Sequence, residues 1–65
     1  MINVRDMLRR LFEDGWVIVR QRGSHRHLRH LLKSGTLTVA GHPADTIPRG
    51  AYRQILRKAG LKDER

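Results

Sequence analysis

The 65-residue chain contains no cysteine, and only three of its residues are aromatic. The lack of cysteine excludes disulfides and thiolate metal sites. No apolar run approaches the roughly 20 residues that a membrane-spanning helix needs. Charged residues interrupt the N-terminal segment, which therefore does not resemble a secretory signal. We expect a single small domain, residues 1–65, in a soluble cytoplasmic protein with no membrane partner.

Acidic residues are also scarce. Six Asp and Glu stand against fourteen Lys and Arg, which gives a net charge of +8, and eleven of the fourteen basic residues are Arg. Such a field on a small protein favours a polyanionic partner such as RNA. The planar guanidinium of Arg also binds phosphate in a bidentate manner and stacks on bases. An anionic membrane surface is a poorer fit, since the chain has no long basic amphipathic helix.

The hydrophobic spacing predicts a helix at each end of the chain and three strands between them. The first helix begins after Asn3, a good N-cap, and ends at Gly15. The second begins at Pro48 and ends at Gly60. The predicted strands are 16–21, 25–32 and 36–40, and the apolar stripes of the helices are Val4, Met7, Leu8, Leu11 and Phe12 in the first and Ala51, Tyr52, Ile55, Leu56 and Ala59 in the second.

This α-β-β-β-α order predicts an α+β fold. Short connections, at Gly23-Ser24 and at Gly35, favour a three-stranded antiparallel sheet. Two amphipathic helices need an apolar surface, and one face of the sheet supplies it. We therefore expect both helices on one face and the other face open to solvent.

The segment 20–30 holds three His and four Arg. Side chains alternate between the two faces of a strand, so each face of the second strand mixes polar and apolar residues. If Leu28 contacts the core, His25 and His27 lie on the open side, with Thr36 and Thr38 as neighbours across the hairpin. One face carries His25, His27, Arg29 and Leu31, and the other carries Arg26, Leu28, His30 and Leu32.

A histidine among arginines can perform much of the chemistry of RNA cleavage. It can accept or donate a proton near neutral pH, while cations stabilise the charged phosphorane. His25 is the best placed, because it follows Gly23-Ser24, where a glycine lets a phosphate approach the backbone. The predicted phosphate-binding arginines are Arg20, Arg22, Arg26 and Arg29 near the histidines, and Arg49, Arg53 and Arg57 along one edge of the second helix.

Two other readings of the histidines are open. They can be solvated or bind phosphate without catalysis. They can also gather on zinc with His42, although His27 and His30 lie on opposite faces of a strand and no Cys or carboxylate is nearby. We expect no metal and no cofactor.

Three segments of the chain resemble the HicA toxins of bacterial and archaeal HicA–HicB toxin–antitoxin pairs. They are "DGWVIVRQRGSHRHLRH", "KSGTLTVAGHP" and "IPRGAYRQILRKAGL". The most specific parts are the Gly-Trp that enters the first strand, the Gly-Ser-His that follows it, and the Pro-x-Gly and Ala-Gly-Leu that bound the last helix. The resemblance runs from about Val4 to Leu61.

The resemblance implies a double-stranded-RNA-binding-domain-like fold and a metal-independent endoribonuclease, an mRNA interferase, that a HicB antitoxin covers. The family's catalytic histidine corresponds to His25, and Gly23 and Ser24 shape its site. The family often has a second histidine where this chain has Arg26. That difference leaves the general acid unassigned, and His27, on the same face as His25, is our candidate for an assisting residue.

Two further functional classes fit the composition. One is an RNA-binding module of the same fold that does no chemistry, since double-stranded RNA can be bound through its shape, phosphates and 2′-OH groups. The other is an interaction protein whose positive charge meets an acidic partner. Cleavage of RNA, salt-sensitive binding without cleavage, and partner binding without RNA affinity distinguish the three classes.

Overall fold

A computed structural model describes residues 2–61; Met1 and residues 62–65, the ends of the predicted domain, lie outside the described residues. The predicted α-β-β-β-α order is confirmed, and the fold is α+β. Its elements are helix α1 (Val4–Asp14), strands β1 (Trp16–Arg22), β2 (His25–His30) and β3 (Thr36–Val39), and helix α2 (Arg49–Lys58).

Local signals set both ends of α1. The side chain of Asn3 accepts a hydrogen bond of 2.8 Å from the backbone N–H of Asp6, an N-cap that stabilises a helix by about 1 kcal/mol. Gly15 ends the helix at a φ of 107°, a left-handed conformation that glycine adopts without strain. No helix within residues 2–61 is long and apolar enough to cross a membrane.

The sheet is antiparallel, with β2 between β1 and β3. The second strand is shorter than predicted and ends at His30 rather than at Leu32. The ring Nδ1 of His30 accepts hydrogen bonds from the backbone N–H groups of Leu32 and Lys33, at 2.9 and 3.0 Å. These bonds fold the chain into a turn, so Leu31 and Leu32 are 79% and 92% exposed.

The core lies between the two helices and one face of the sheet, as predicted. Phe12 is the exception in the stripe of α1, since it is 46% exposed. Ala51 of α2 is also exposed. The buried hydrophobic residues are Val4, Met7, Leu8, Leu11, Trp16, Leu28, Leu37, Val39, Leu56 and Ala59.

The loop between β3 and α2 packs against the start of α1. The backbone N–H of Val4 donates to the carbonyl of Asp45 at 2.9 Å, and that of Arg5 donates to the carbonyl of Pro43 at 3.0 Å. The first N–H groups of a helix have no partner within the helix, so these two bonds satisfy them. They also hold the loop in place on the helix.

Candidate active site on the open face of the sheet

The face of the sheet opposite the helices carries both candidate catalytic histidines. Leu28 is fully buried against the helices, which places its strand neighbours on the other side. His25 and Arg29 are exposed there, and His27 is half-buried. The predicted division of β2 into two faces is therefore confirmed.

A β-bulge in β1 adds two arginines to this open face. Ile18 pairs with Leu28 and Arg20 pairs with His27, so the bulge lies at Val19. Directly paired residues of antiparallel strands share a face, and an extra residue reverses the alternation beyond it. Arg20 consequently lies beside His27 on the open face.

The bulge was not predicted from the sequence, and it resolves a conflict within β1. Trp16 and Arg22 are an even number of residues apart, so regular alternation would give them the same face. With the bulge, Trp16 is 1% exposed on the helix side, whereas Arg22 pairs with His25 on the open side. The sequence of β1, "WVIVRQR", contains no glycine or proline, so nothing in it indicates a bulge.

The turn Gly23-Ser24 connects β1 to β2 directly before His25. Gly23 has a φ of 59°, and no non-glycine residue within 2–61 has a positive φ. A positive φ at the first turn position alone fits the type II′ hairpin turn. A Cβ on Gly23 would meet no atom within 4 Å, so the backbone beside His25 is open to a ligand.

His27 has a polar neighbour on each side across the sheet. It pairs with Arg20 of β1 and with Thr38 of β3. The hydroxyl of Thr38 lies 3.3 Å from Nδ1 of His27, within hydrogen-bonding distance. This contact orients the imidazole and leaves Nε2 as the nitrogen available to a substrate.

Arg26 lies on the helix side and is buried, with 8% of its surface exposed. Its Nη1 donates to the carbonyl of Ser24 at 3.1 Å and to the carbonyl of Gly41 at 2.8 Å. Arg26, which the sequence predicts as a phosphate-binding residue, is therefore not brought together with His25, because alternation turns its side chain to the opposite face. Sequence reasoning missed Gly41 here, since 15 residues separate it from Arg26 and no local pattern joins them.

His30 is a structural residue, with only 6% of its side chain exposed. Because Nδ1 accepts from two backbone N–H groups, the proton is on Nε2, which donates to the carbonyl of Asp14 at 2.6 Å. Trp16 packs against the ring edge-to-face, with centroids 5.2 Å apart. His30 thus joins the end of α1 to the end of β2 and takes no part in the open face.

Asp14 and Lys33 form an ion pair next to His30. Lys33 Nζ lies 2.7 Å from Oδ2 of Asp14 and donates to the carbonyl of Ala59 at 2.8 Å. The hydrogen bond from the Lys33 ammonium is the main reason that the pKa of Asp14 is lowered from 3.8. One lysine therefore links the end of α1, the turn after β2 and the end of α2.

The arginines of α2 do not share a face with the histidines. Arg49, Arg53 and Arg57 are exposed. Their helix inserts Leu56 and Ala59 into the core from the covered side of the sheet. The arginines predicted to bind phosphate are therefore not brought together on one surface, because those of α2 lie on the helix side of the sheet.

The four histidines do not gather at one point. His25 and His27 occupy the open face, His30 points inward, and His42 lies on the exposed loop after β3. Within residues 2–61, no three His, Asp or Glu side chains are close enough to hold a metal ion. The open face instead combines two imidazoles with three guanidinium groups, an arrangement that can transfer protons and stabilise a phosphorane.

Comparison with known proteins gives one assignment. No match is found among curated proteins. The model of one protein family, described as the HicA toxin of bacterial toxin–antitoxin systems, matches residues 4–61, which include both helices and the whole sheet. The chain therefore belongs to the HicA toxin family.

Proposed function

We propose that the chain is an mRNA interferase, a metal-independent endoribonuclease that cleaves mRNA in the cytoplasm. One observation carries the proposal: His25 and His27 lie on the same open face of β2, beside arginines paired to them across the sheet. Membership of a toxin family supports it, since cleavage of mRNA is a direct way for a toxin to stop growth.

In the proposed reaction His25 is the general base and His27 the general acid. His25 takes the proton of a ribose 2′-OH, and the 2′-oxygen attacks the adjacent phosphorus. The bond from phosphorus to the 5′-oxygen breaks, and His27 gives its proton to that oxygen. The products are a 2′,3′-cyclic phosphate and a 5′-OH, with no other reactant consumed.

The arginines of the open face hold the phosphate. Arg22 pairs with His25 and Arg20 with His27, so each histidine has a guanidinium beside it. Arg29 lies on the same face, next along β2. These donors stabilise the negative charge of the phosphorane oxygens. Arg49, Arg53 and Arg57 lie on the helix side, and we propose that they bind flanking RNA outside the reaction centre.

An antitoxin partner follows from the family, and we propose that it is of the HicB type and covers the open face. Large apolar side chains are exposed around this face: Val17 is 42% exposed and Val19 is 56% exposed. Leu31 and Leu32 add a second apolar surface at the end of β2. Exposed apolar residues bordered by charge are typical of protein interfaces.

The catalytic proposal is tested with the purified protein, His25→Ala, His27→Ala and the control Gln54→Ala, an exposed residue of α2. Each is incubated with a long single-stranded RNA in excess EDTA. Loss of a general acid or base costs roughly 100- to 10,000-fold in rate. We expect such a loss for both histidine variants, full activity for the control, and cyclic phosphate ends. Binding with no cleavage by the unmodified protein would favour the non-catalytic RNA-binding module instead.

The antitoxin surface is tested by calorimetry with the proposed HicB-type antitoxin as the titrant. Val19→Asp and Leu32→Asp should each weaken binding at least tenfold. Phe12→Ser, which alters an exposed apolar residue of α1 on the other side of the molecule, should leave it unchanged. A greater effect of Phe12→Ser than of Val19→Asp would place the interface on the helices.

A further inference from the structure

Arg26 is the buried charged residue of the described part of the chain, and its position is unusual. Within residues 2–61 no carboxylate pairs with it, and its hydrogen bonds there go to two backbone carbonyls. Hydrogen bonds from a charged donor are roughly twice as strong as those between neutral groups. A buried guanidinium also needs its partners, since an unpaired buried charge is costly.

The two carbonyls belong to different segments. Ser24 is the turn residue directly before His25, and Gly41 follows β3. The backbone N–H of Gly41 also donates to the carbonyl of Ser24, at 3.2 Å. Ser24, Arg26 and Gly41 therefore form one closed hydrogen-bond network.

The segment after Gly41 is itself fixed to α1. Pro43 and Asp45 accept hydrogen bonds from the first N–H groups of that helix. The Asp45 carboxylate accepts a further bond of 2.9 Å from the backbone N–H of His42. Arg26 thus connects the two-residue hairpin turn to a loop that hydrogen bonds hold against α1.

We propose that Arg26 is a positioning residue for His25. By holding the carbonyl of Ser24, it sets the direction in which the backbone enters β2, and hence the position of the His25 imidazole on the open face. Arg26 does this from the covered side of the sheet, without contact to RNA. The inference rests on the proposed ribonuclease function, in which His25 is the base.

Two matched substitutions separate positioning from phosphate binding. Arg26→Met and Arg29→Met remove the same charge from residues on opposite faces of β2. A phosphate-binding residue contributes roughly 0.7 to the slope of log affinity against log salt for single-stranded RNA. We expect Arg29→Met to lower this slope and weaken binding, whereas Arg26→Met leaves slope and KM unchanged and lowers kcat at least tenfold. Arg26→Lys, which keeps a charged donor, should recover most of the kcat.

A measurement that does not depend on activity tests the network itself. Exchange of the Gly41 amide hydrogen, followed by NMR, reports the bond from Gly41 to Ser24. We expect at least tenfold faster exchange in Arg26→Met, near-normal exchange in Arg26→Lys, and no change in Arg29→Met. Thermal unfolding confirms that each variant is folded at the temperature used.

The outcomes distinguish the two proposals. If the unmodified protein cleaves no RNA, the ribonuclease function fails, and the Gly41 exchange still decides whether Arg26 holds the turn. An equal loss of salt slope in Arg26→Met and Arg29→Met would overturn the inference and make Arg26 a phosphate ligand. Unchanged kcat or unchanged Gly41 exchange in Arg26→Met would also overturn it.

Discussion

Gly15, which ends α1, lies directly against the ring of His30, which ends β2. A Cβ on Gly15 would be 2.9 Å from Nε2 of His30, closer than such atoms can approach. The same nitrogen donates to the carbonyl of Asp14. A glycine is therefore needed at position 15 for two reasons: its φ is positive, and the His30 ring leaves no space for a Cβ.

The first prediction concerns this contact. Gly15→Ala should lower the free energy of unfolding by more than the roughly 1–3 kcal/mol that a strained backbone position costs, because His30 must also move. Gly35→Ala is the matched control: Gly35 has a φ of 92°, but a Cβ there meets no atom within 4 Å. Urea unfolding measures both. If the free energy of unfolding falls equally in the two variants, the contact between residue 15 and His30 adds nothing to the cost of the substitution.

Asp14 gives a prediction about acid stability. Its pKa is lowered from 3.8 in the folded state, mainly by the hydrogen bond from Lys33. A carboxyl with a lowered pKa stabilises the fold above its unfolded pKa, and this contribution is lost as the pH falls through the folded value. Asp14→Asn should therefore be less stable than the unmodified protein at pH 7, and the difference should shrink below pH 3.8.

Urea unfolding at several pH values follows the difference between the two proteins. A difference that is the same at pH 7 and at pH 3 would mean that the carboxylate charge has no role. Lys33→Met, which removes the main cause of the lowered Asp14 pKa, should reduce the effect of Asp14→Asn on the pH dependence of stability.

The bulge in β1 gives a prediction about deletions. Removing Val19 leaves a regular ladder in which Ile18 still pairs with Leu28 and Arg20 with His27. Trp16 then stays on the covered face. Removing Val17 instead keeps the bulge and moves Trp16 to the open face. The chain has a single Trp, so its fluorescence reports the result. The emission of Trp16 should stay blue-shifted in the variant that lacks Val19 and should shift to the red in the variant that lacks Val17. The opposite result would refute a bulge at Val19.

The contact between Thr38 and His27 gives a prediction about rate. Thr38→Val keeps the shape of the side chain but removes the hydroxyl that orients His27. At 3.3 Å the bond is long, and a weak hydrogen bond corresponds to about 1 kcal/mol, so we expect a loss of roughly fivefold in kcat. Thr36→Val, on the same face but opposite Arg29, is the control and should cleave normally. Equal rates for both variants would exclude an orienting role for Thr38.

Local chemistry made much of the fold predictable. Asn3 and Gly15 bound α1 through backbone hydrogen bonds and a positive φ, which depend on residues within one helical turn. Leu37 and Val39 alternate with threonines along β3, and this pattern settles which face is buried. His25 and His27 could be assigned to the open face for the same reason, once Leu28 was taken as the core contact.

Features that depend on distant residues could not be predicted. Trp16 is apolar and Arg22 is charged, so the two side chains must lie on opposite faces of the sheet. Only the pairing of β1 with β2 shows that a bulge at Val19 makes this possible. The predicted length of β2 was wrong. The His30 ring, which is hydrogen-bonded to the carbonyl of Asp14 at the end of α1, accepts hydrogen bonds from the backbone of Leu32 and Lys33 and ends the strand. Arg26 and His25 are adjacent in the sequence, yet the alternation of side chains along β2 places them on opposite faces of the sheet.

The sequence by itself determined the order of elements, the amphipathic faces and the histidines on the open side, because these follow from the periods of helix and strand and from nearby caps. Only the tertiary structure decided which arginines join the histidines. The bulge brings Arg20 and Arg22 to the open face, whereas Arg26 turns inward to the carbonyls of Ser24 and Gly41. Such choices rest on contacts between residues far apart in the chain, and those contacts exist only once the sheet has packed against the helices.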